Sequence, residues 1–408
     1  MATASSTITI TDHKRRTGSR RLELARRASI VAGALAAAAV FLPASLSSWA
    51  EVDYPQLAAG IAPWSAPAAA SAAASLNADP RSPAVRRLVA TALARDLTQV
   101  QAIELRALDL VVSGKAAEGR RLFELSDRLS RRSLATRLWL IQAAVDRGSV
   151  GGALRNFDVA LRTSTDAQPI LFPVLARASA DATLTDQLAA MLDRPSDWRL
   201  MFFEWALAND SDVRPVAVVA AHMHDRRFIL SNAIDQRLIE RLVTAREFEA
   251  AMLLNRQFRR QGDGVADPHF ADTSARYPFG WGLVESGSLG AHRSVSGSAS
   301  ALIYSAAPAN SGQVAAQLLA LKPGRYALAT MSAAPATGPA PYWAVSCAEV
   351  SGSVIAMLDQ PAVAGGKAAT AFTVPVSCHA QWLTLQIRPA QDSSSQSGAV
   401  AWVAVAAR

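Results

Sequence analysis

Trp382-Leu383-Thr384-Leu385-Gln386-Ile387 alternates strictly, with Leu383, Leu385 and Ile387 on one face and Trp382 on the other. A period of two is the signature of a β-strand, and large residues on both sides let both faces be covered. Short runs of the same kind surround it: Gly282–Glu285, Ala301–Ser305, Gln313–Leu321, Arg325–Met331, Tyr342–Ala348, Val354–Leu358, Ala368–Val374 and Val400–Val405. Glycine, proline and serine separate them, and Leu321-Lys322-Pro323-Gly324-Arg325-Tyr326 supplies a tight turn. Nine short strands at this density predict an antiparallel sandwich over residues 265–408.

Before Gln261-Gly262-Asp263-Gly264 the periodicity is helical, as in Leu88, Val89, Ala92 and Leu93, or Leu238, Leu242 and Val243. An all-α domain is expected over 84–260. Within it two units overlay at a spacing of 34: Leu105 on Trp139, Gly114 on Gly148, Phe123 on Phe157. That period belongs to helix-turn-helix repeats, the glycine ending one helix and the aromatic packing the next one back on it. Leu238–Phe258 has the same character, with Ala245 at the turn. Pro195-Ser196-Asp197-Trp198 predicts a helix start, with Ser196 as cap and Trp198, Met201, Phe202 and Trp205 as the buried stripe. Residues 51–83, rich in Ala, Ser and Pro, are expected to form a linker.

Ala28–Ala50 contains 23 residues without a charge. As a helix it would be ~34 Å long, enough to cross a bilayer. The preceding residues 1–27 carry seven basic and two acidic side chains, which by the positive-inside rule keeps that tail in the cytoplasm. A single-pass inner-membrane protein with its bulk in the periplasm is therefore expected. The alternative is a secretory signal cleaved after Ser48-Trp49-Ala50. The tail accounts for +5 of the formal charge of +8, so the remainder is nearly balanced and no nucleic-acid partner is expected.

Cys347 and Cys378 are the only cysteines, and in an oxidising compartment such a pair predicts one disulfide, the alternative being two buried thiols. His222 and His224, two residues apart, do not share a helix face, and no metal is expected. Arg86, Arg87, Arg120, Arg121, Arg131 and Arg132 lie among Asp96, Glu104, Asp109, Glu118, Glu124 and Asp127, the mixture of a solvated helix face rather than a groove for an anionic polymer. The acids beyond Gly280 are too scattered for paired-carboxylate catalysis. No nucleophile elbow, phosphate loop or dinucleotide fingerprint is present, so neither catalytic residues nor a cofactor are assigned.

Ala102–Leu129 and Leu138–Leu161 resemble the tetratricopeptide repeat family, with Gly119 and Ala153 at the position that family usually fills with alanine. Pro278-Phe279-Gly280-Trp281, the Leu321–Tyr326 turn, Thr373-Val374-Pro375 and Gln381-Trp382-Leu383 resemble jelly-roll modules of the galactose-binding-like or carbohydrate-binding type. Asp267-Pro268-His269-Phe270 stands where such modules usually carry Asn-Gly-x-Phe. The whole order, anchor then repeats then jelly roll, resembles Gram-negative envelope proteins associated with exopolysaccharide assembly. The resemblance implies a multi-domain, non-catalytic scaffold whose partners are envelope or polysaccharide-assembly proteins and polysaccharide. Trp281, Tyr342 and Trp343 are the candidates for stacking on sugar rings, the alternative being that they fill the core. A polysaccharide-modifying hydrolase and a simple carbohydrate-binding module are the competing functions.

Overall fold

A computed structural model describes residues 41–408 except 44, 78, 210–211, 260–263, 273, 297–298, 351 and 391–393. The basic tail and residues 28–40 of the expected membrane span lie outside the described residues. Among those described, no helix is long and apolar enough to cross a membrane. Two compact units divide the chain, Met1–Ser164 and Thr165–Arg408.

In the first unit α1 spans residues 45–53, followed by α2 (Pro55–Ile61), α3 (Ala66–Ser75) and α4 (Pro83–Arg95). The stretch expected as a linker is thus largely helical. Its prolines open helices instead of breaking them: Pro55, Pro67 and Pro83 sit in first turns, where the missing N–H has no partner to lose. Ser65 and Ser82 accept from the amides of Ala68 and Val85, both at 3.3 Å, and cap α3 and α4. Ala69, Ala70 and Ala73 then pack against Val85 and Val89, small side chains allowing a close approach.

Next come α5 (Val100–Val112), α6 (Ala116–Leu129), α7 (Leu134–Asp146) and α8 (Val150–Thr163). They form two hairpins whose turns close identically. Gly114 and Gly148 take positive φ, +83° and +67°, and the next amide, Lys115 or Ser149, donates back to Leu110 or Ala144 at 2.8 Å. Phe123 stacks on Trp139 with centroids 4.4 Å apart, joining the hairpins. A Cβ at Gly119 would lie 2.8 Å from the Ala107 carbonyl oxygen, so α6 crosses α5 with backbone against backbone.

Asp109 is buried on α5 and forked by two arginines: Arg86 Nη2 donates at 2.5 Å and Arg106 Nη1 at 2.6 Å. The Arg86 hydrogen bond, aided by the charges of both arginines, holds this carboxyl below its ordinary value. A depressed folded-state value means the stabilisation is complete above the unfolded pKa of ~3.9 and fades as pH falls through the folded value. Asp109→Asn is expected to cost about 1–2 kcal/mol near neutral pH. That difference from wild type, followed by urea titration of the whole chain, should shrink steadily from pH 5 to pH 2.5. A pH-independent gap would refute the assignment.

The second unit begins with α9 (Gln168–Ala178), α10 (Thr185–Leu192), α11 (Trp198–Asn209), α12 (Arg214–His222), α13 (Arg226–Ser231), α14 (Ile234–Thr244) and α15 (Phe248–Leu254). On α11 Trp198 and Phe202 are buried as expected, but Met201 is exposed and Phe203 and Ala206 complete the inner face. Ser196 Oγ donates to the Arg194 carbonyl at 3.5 Å. The α14–α15 turn repeats the earlier hydrogen bond, Glu247 N to Leu242 O at 2.8 Å, but the left-handed residue is Arg246 (φ +64°), not Ala245. Arg246 Nη2 also donates to the carbonyls of Ala348 and Glu349, at 2.9 and 2.8 Å, tying this hairpin to the sandwich.

Ten strands build the sandwich: β1 (Gly282–Leu283), β2 (Leu289–Ser296), β3 (Ala299–Ala306), β4 (Gly312–Leu319), β5 (Gly324–Thr337), β6 (Tyr342–Cys347), β7 (Val354–Asp359), β8 (Lys367–Val374), β9 (Gln381–Ile387) and β10 (Gln396–Ala407). One sheet has the order β1-β4-β9-β6-β7 and the other β2-β3-β10-β5-β8, every pairing antiparallel. All nine expected strands are present. The additional one, β2, lies at an edge and carries His292, Arg293 and Ser294, too polar a run to announce itself. Between the sheets lie Leu302, Tyr304, Leu328, Trp343, Leu385 and Val400.

Candidate functional site

The three residues expected to meet sugar separate. Trp343 is fully buried; its Nε1 donates to Gln360 Oε1 at 3.0 Å. Trp281 is also buried, 5.6 Å from the Trp343 ring, and its Nε1 donates to the Asp267 carbonyl at 3.0 Å. These two indoles fill the core and offer no face to a ligand. Alternation along β6 is the reason: adjacent residues of a strand point to opposite faces, so Tyr342 and Trp343 cannot share one. Tyr342 alone of the three lies on the outer face, with the Arg388 guanidinium 4.7 Å from its ring centroid.

That outer face of the β1-β4-β9-β6-β7 sheet carries the groove. The registers Gln313↔Gln386↔Tyr342, Ala316↔Thr384↔Ala344 and Leu318↔Trp382↔Ser346 lay three rows across β4, β9 and β6. In the middle row Ala316, Thr384 and Ala344 are small and form a buried floor. Aromatic side chains rise at both ends, Tyr342 at one and Trp382 at the other, about 14 Å apart along the strands, four residues at the usual rise. Tyr277 stacks on Trp382 with centroids 6.0 Å apart and planes at 21°. Its ring also lies over Gly282, where a Cβ would come within 2.4 Å, so only glycine lets the tyrosine down onto the sheet.

The groove encloses about 440 Å³, and Gln313, Ser346, Thr384 and Gln386 add hydrogen-bonding groups. None of its lining residues carries a formal charge. Burial pushes the Tyr277 phenol above its ordinary value, so it stays a neutral donor. The nearest ion pair, Arg388 Nη2 to Asp359 Oδ1 at 2.6 Å, is self-satisfied beside Tyr342, and Arg388 Nη1 donates to the Ala340 carbonyl. An apolar floor, aromatic walls and neutral amides suit a neutral, hydroxyl-rich ligand better than a charged one. The alternation set Trp382 opposite Leu383, Leu385 and Ile387 without saying which face lies outward; Tyr277 carried no signal, because it precedes the strands and reaches the face only through the fold.

Cys347 and Cys378 are bonded to each other, closing 31 residues. Together with Glu349 they are the one group of three potential metal ligands among the described residues, and their sulfurs are already engaged. His222 and His224 turn to separate carboxylates, Asp186 at 2.8 Å and Asp193 at 3.0 Å. Of the arginines considered for an anionic groove, Arg86 is taken by Asp109, whereas Arg87, Arg120, Arg121, Arg131 and Arg132 are exposed. No protein-family model and no curated protein matches the chain, so the site is read from its geometry.

Proposed function

We propose that this protein is a non-catalytic, membrane-anchored scaffold of the bacterial envelope. Its tetratricopeptide-like hairpins meet protein partners, and its jelly-roll-like sandwich holds a neutral polysaccharide. The observation that carries the glycan part is the uncharged trough between Trp382–Tyr277 and Tyr342. It supports binding over cleavage, since its lining includes no carboxylate to act as acid or base. For the protein part, support comes from a cleft of about 400 Å³ where α4 meets the first hairpin, lined by Val89, Leu93 and Leu105 and rimmed by Arg86, Arg106 and Asp109, of a size to take a side chain from a partner.

Isothermal titration of the purified chain with neutral oligosaccharides of the cell surface tests the glycan reading. Trp382→Ala is expected to weaken binding about 30-fold, the loss of roughly 2 kcal/mol typical of a central aromatic contact. Thermal stability should change little, because Trp382 is only half-buried on an outer face. Equal affinity of wild type and variant, or no binding by either, would defeat the proposal.

A further inference from the structure

The helix α1 is oriented inside out. Ser47 and Ala50 are its inward residues: Ser47 Oγ donates to the Ala58 carbonyl at 3.1 Å, and Ala50 packs with Ala58 and Ala68. Glu51 also turns toward the unit, accepting from Ser71 Oγ at 3.1 Å. The opposite side therefore faces out, and it carries Leu46, Trp49 and Val52, exposed by 54%, 71% and 85%, with Ser45, Ser48 and Asp53 exposed among them. Leu57 and Trp64, just beyond, are exposed as well, at 57% and 45%. A soluble helix normally places its alanines and serines outward and its leucine and tryptophan inward. Here two small residues, Ser47 and Ala50, bind the unit, and all the large ones are presented.

We infer that this surface lies in the interfacial layer of a phospholipid bilayer, holding the first unit flat on the membrane from which the chain emerges. The inference rests on the anchor reading, with the span drawn back from 28–50 to 28–44, close to the minimum of about 17 residues for a crossing, because Ser47 and Ala50 pack on the unit. Three observations single out lipid as the occupant. The exposed face is continuous in sequence with the uncharged residues 28–44, which directly precede α1, so a bilayer holding them cannot be far from α1. Trp49 and Trp64 pair a large apolar body with one N–H donor, the chemistry that settles between acyl chains and headgroups. No Lys or Arg occurs from residue 28 to residue 80, so attraction to anionic lipid has no part in it. Contact should persist on neutral phosphatidylcholine and at high salt.

The test uses the full chain reconstituted in phosphatidylcholine vesicles doped with a diazirine-bearing phosphatidylcholine, with lipid adducts located by mass spectrometry after photolysis. Adducts are expected in residues 45–64 as well as in 28–40, unchanged between 50 mM and 1 M salt. In the variant Leu46→Ser/Trp49→Ser/Val52→Ser the adducts at 45–64 should fall at least fivefold while those at 28–40 persist. Because the replaced side chains are exposed, the circular dichroism should be unaltered. Adducts confined to 28–40 would overturn the inference and leave the anchor standing; adducts in neither segment would overturn both. Copy-to-copy crosslinks through a Trp49→Cys variant, with no lipid adducts at 45–64, would assign the face to a second copy and overturn it too.

Discussion

Trp343→Ala is expected to destabilise the second unit by about 4–5 kcal/mol, at the upper end for removing a buried indole, seen as a lowered urea midpoint and a melting temperature roughly 8 to 20 °C lower. The ring is fully buried near the start of β6, paired in register with Leu385 on β9 and Leu358 on β7, and packed on Trp281. Its loss opens a cavity among elements that belong to two sheets and cannot all close on it. It also removes a donor from Gln360 Oε1, although Thr330 Oγ1 still donates there at 2.7 Å. Trp343→Phe keeps most of the volume and should cost about 1–3 kcal/mol. Trp343→Phe should also leave oligosaccharide affinity within twofold of wild type, while Trp382→Ala does the reverse. A Trp343→Ala protein within 1 kcal/mol of wild type would contradict the core placement.

Removing the bridge, as Cys347→Ser with Cys378→Ser, is expected to lower stability by about 3–4 kcal/mol, the loop-entropy value for a closure of this length. The bridged residues lie at the end of β6 and just ahead of β9, neighbours in one sheet. Other bonds already hold that corner: Ala348 N donates to the Ala380 carbonyl at 2.9 Å, and Glu349 Oε1 accepts from the amides of His379 and Ala380 at 3.0 and 2.9 Å. The folded form should thus keep its near-ultraviolet circular dichroism and its oligosaccharide affinity without the bridge. What changes is the freedom of the unfolded chain. Equal urea midpoints for the bridged and serine forms would show that the unfolded chain gains nothing from release, and would refute this account.

Local chemistry was legible wherever a residue's role depends on its neighbours in sequence. Gly114 and Gly148 mark hairpin turns because a left-handed backbone costs least without a Cβ, and Phe123 and Phe157 follow at fixed spacing. The strand from Gln381 to Ile387 was legible for the same reason, its period of two leaving one face for Leu383, Leu385 and Ile387. The prolines at 55, 67 and 83 misled, because the same residue that breaks a helix interior also opens a helix, and only caps such as Ser65 and Ser82 separate the two cases. The edge strand β2 escaped notice because it buries little and so needs no apolar alternation.

By itself the sequence determined the helical and strand halves, nine strands, the repeated turns and the cysteine pair, all properties carried by periodicity, backbone preference or composition. Only the tertiary structure decided which aromatic residues face outward, that an alanine-rich stretch packs as helices, and that Tyr277 joins Trp382. The physical reason is that a pattern says two faces differ but not what covers each. Trp281, Trp343 and Trp382 look alike as letters, and burial between two sheets, set by segments far apart in the chain, is what makes the first two part of the core and leaves the third half-exposed on an outer face.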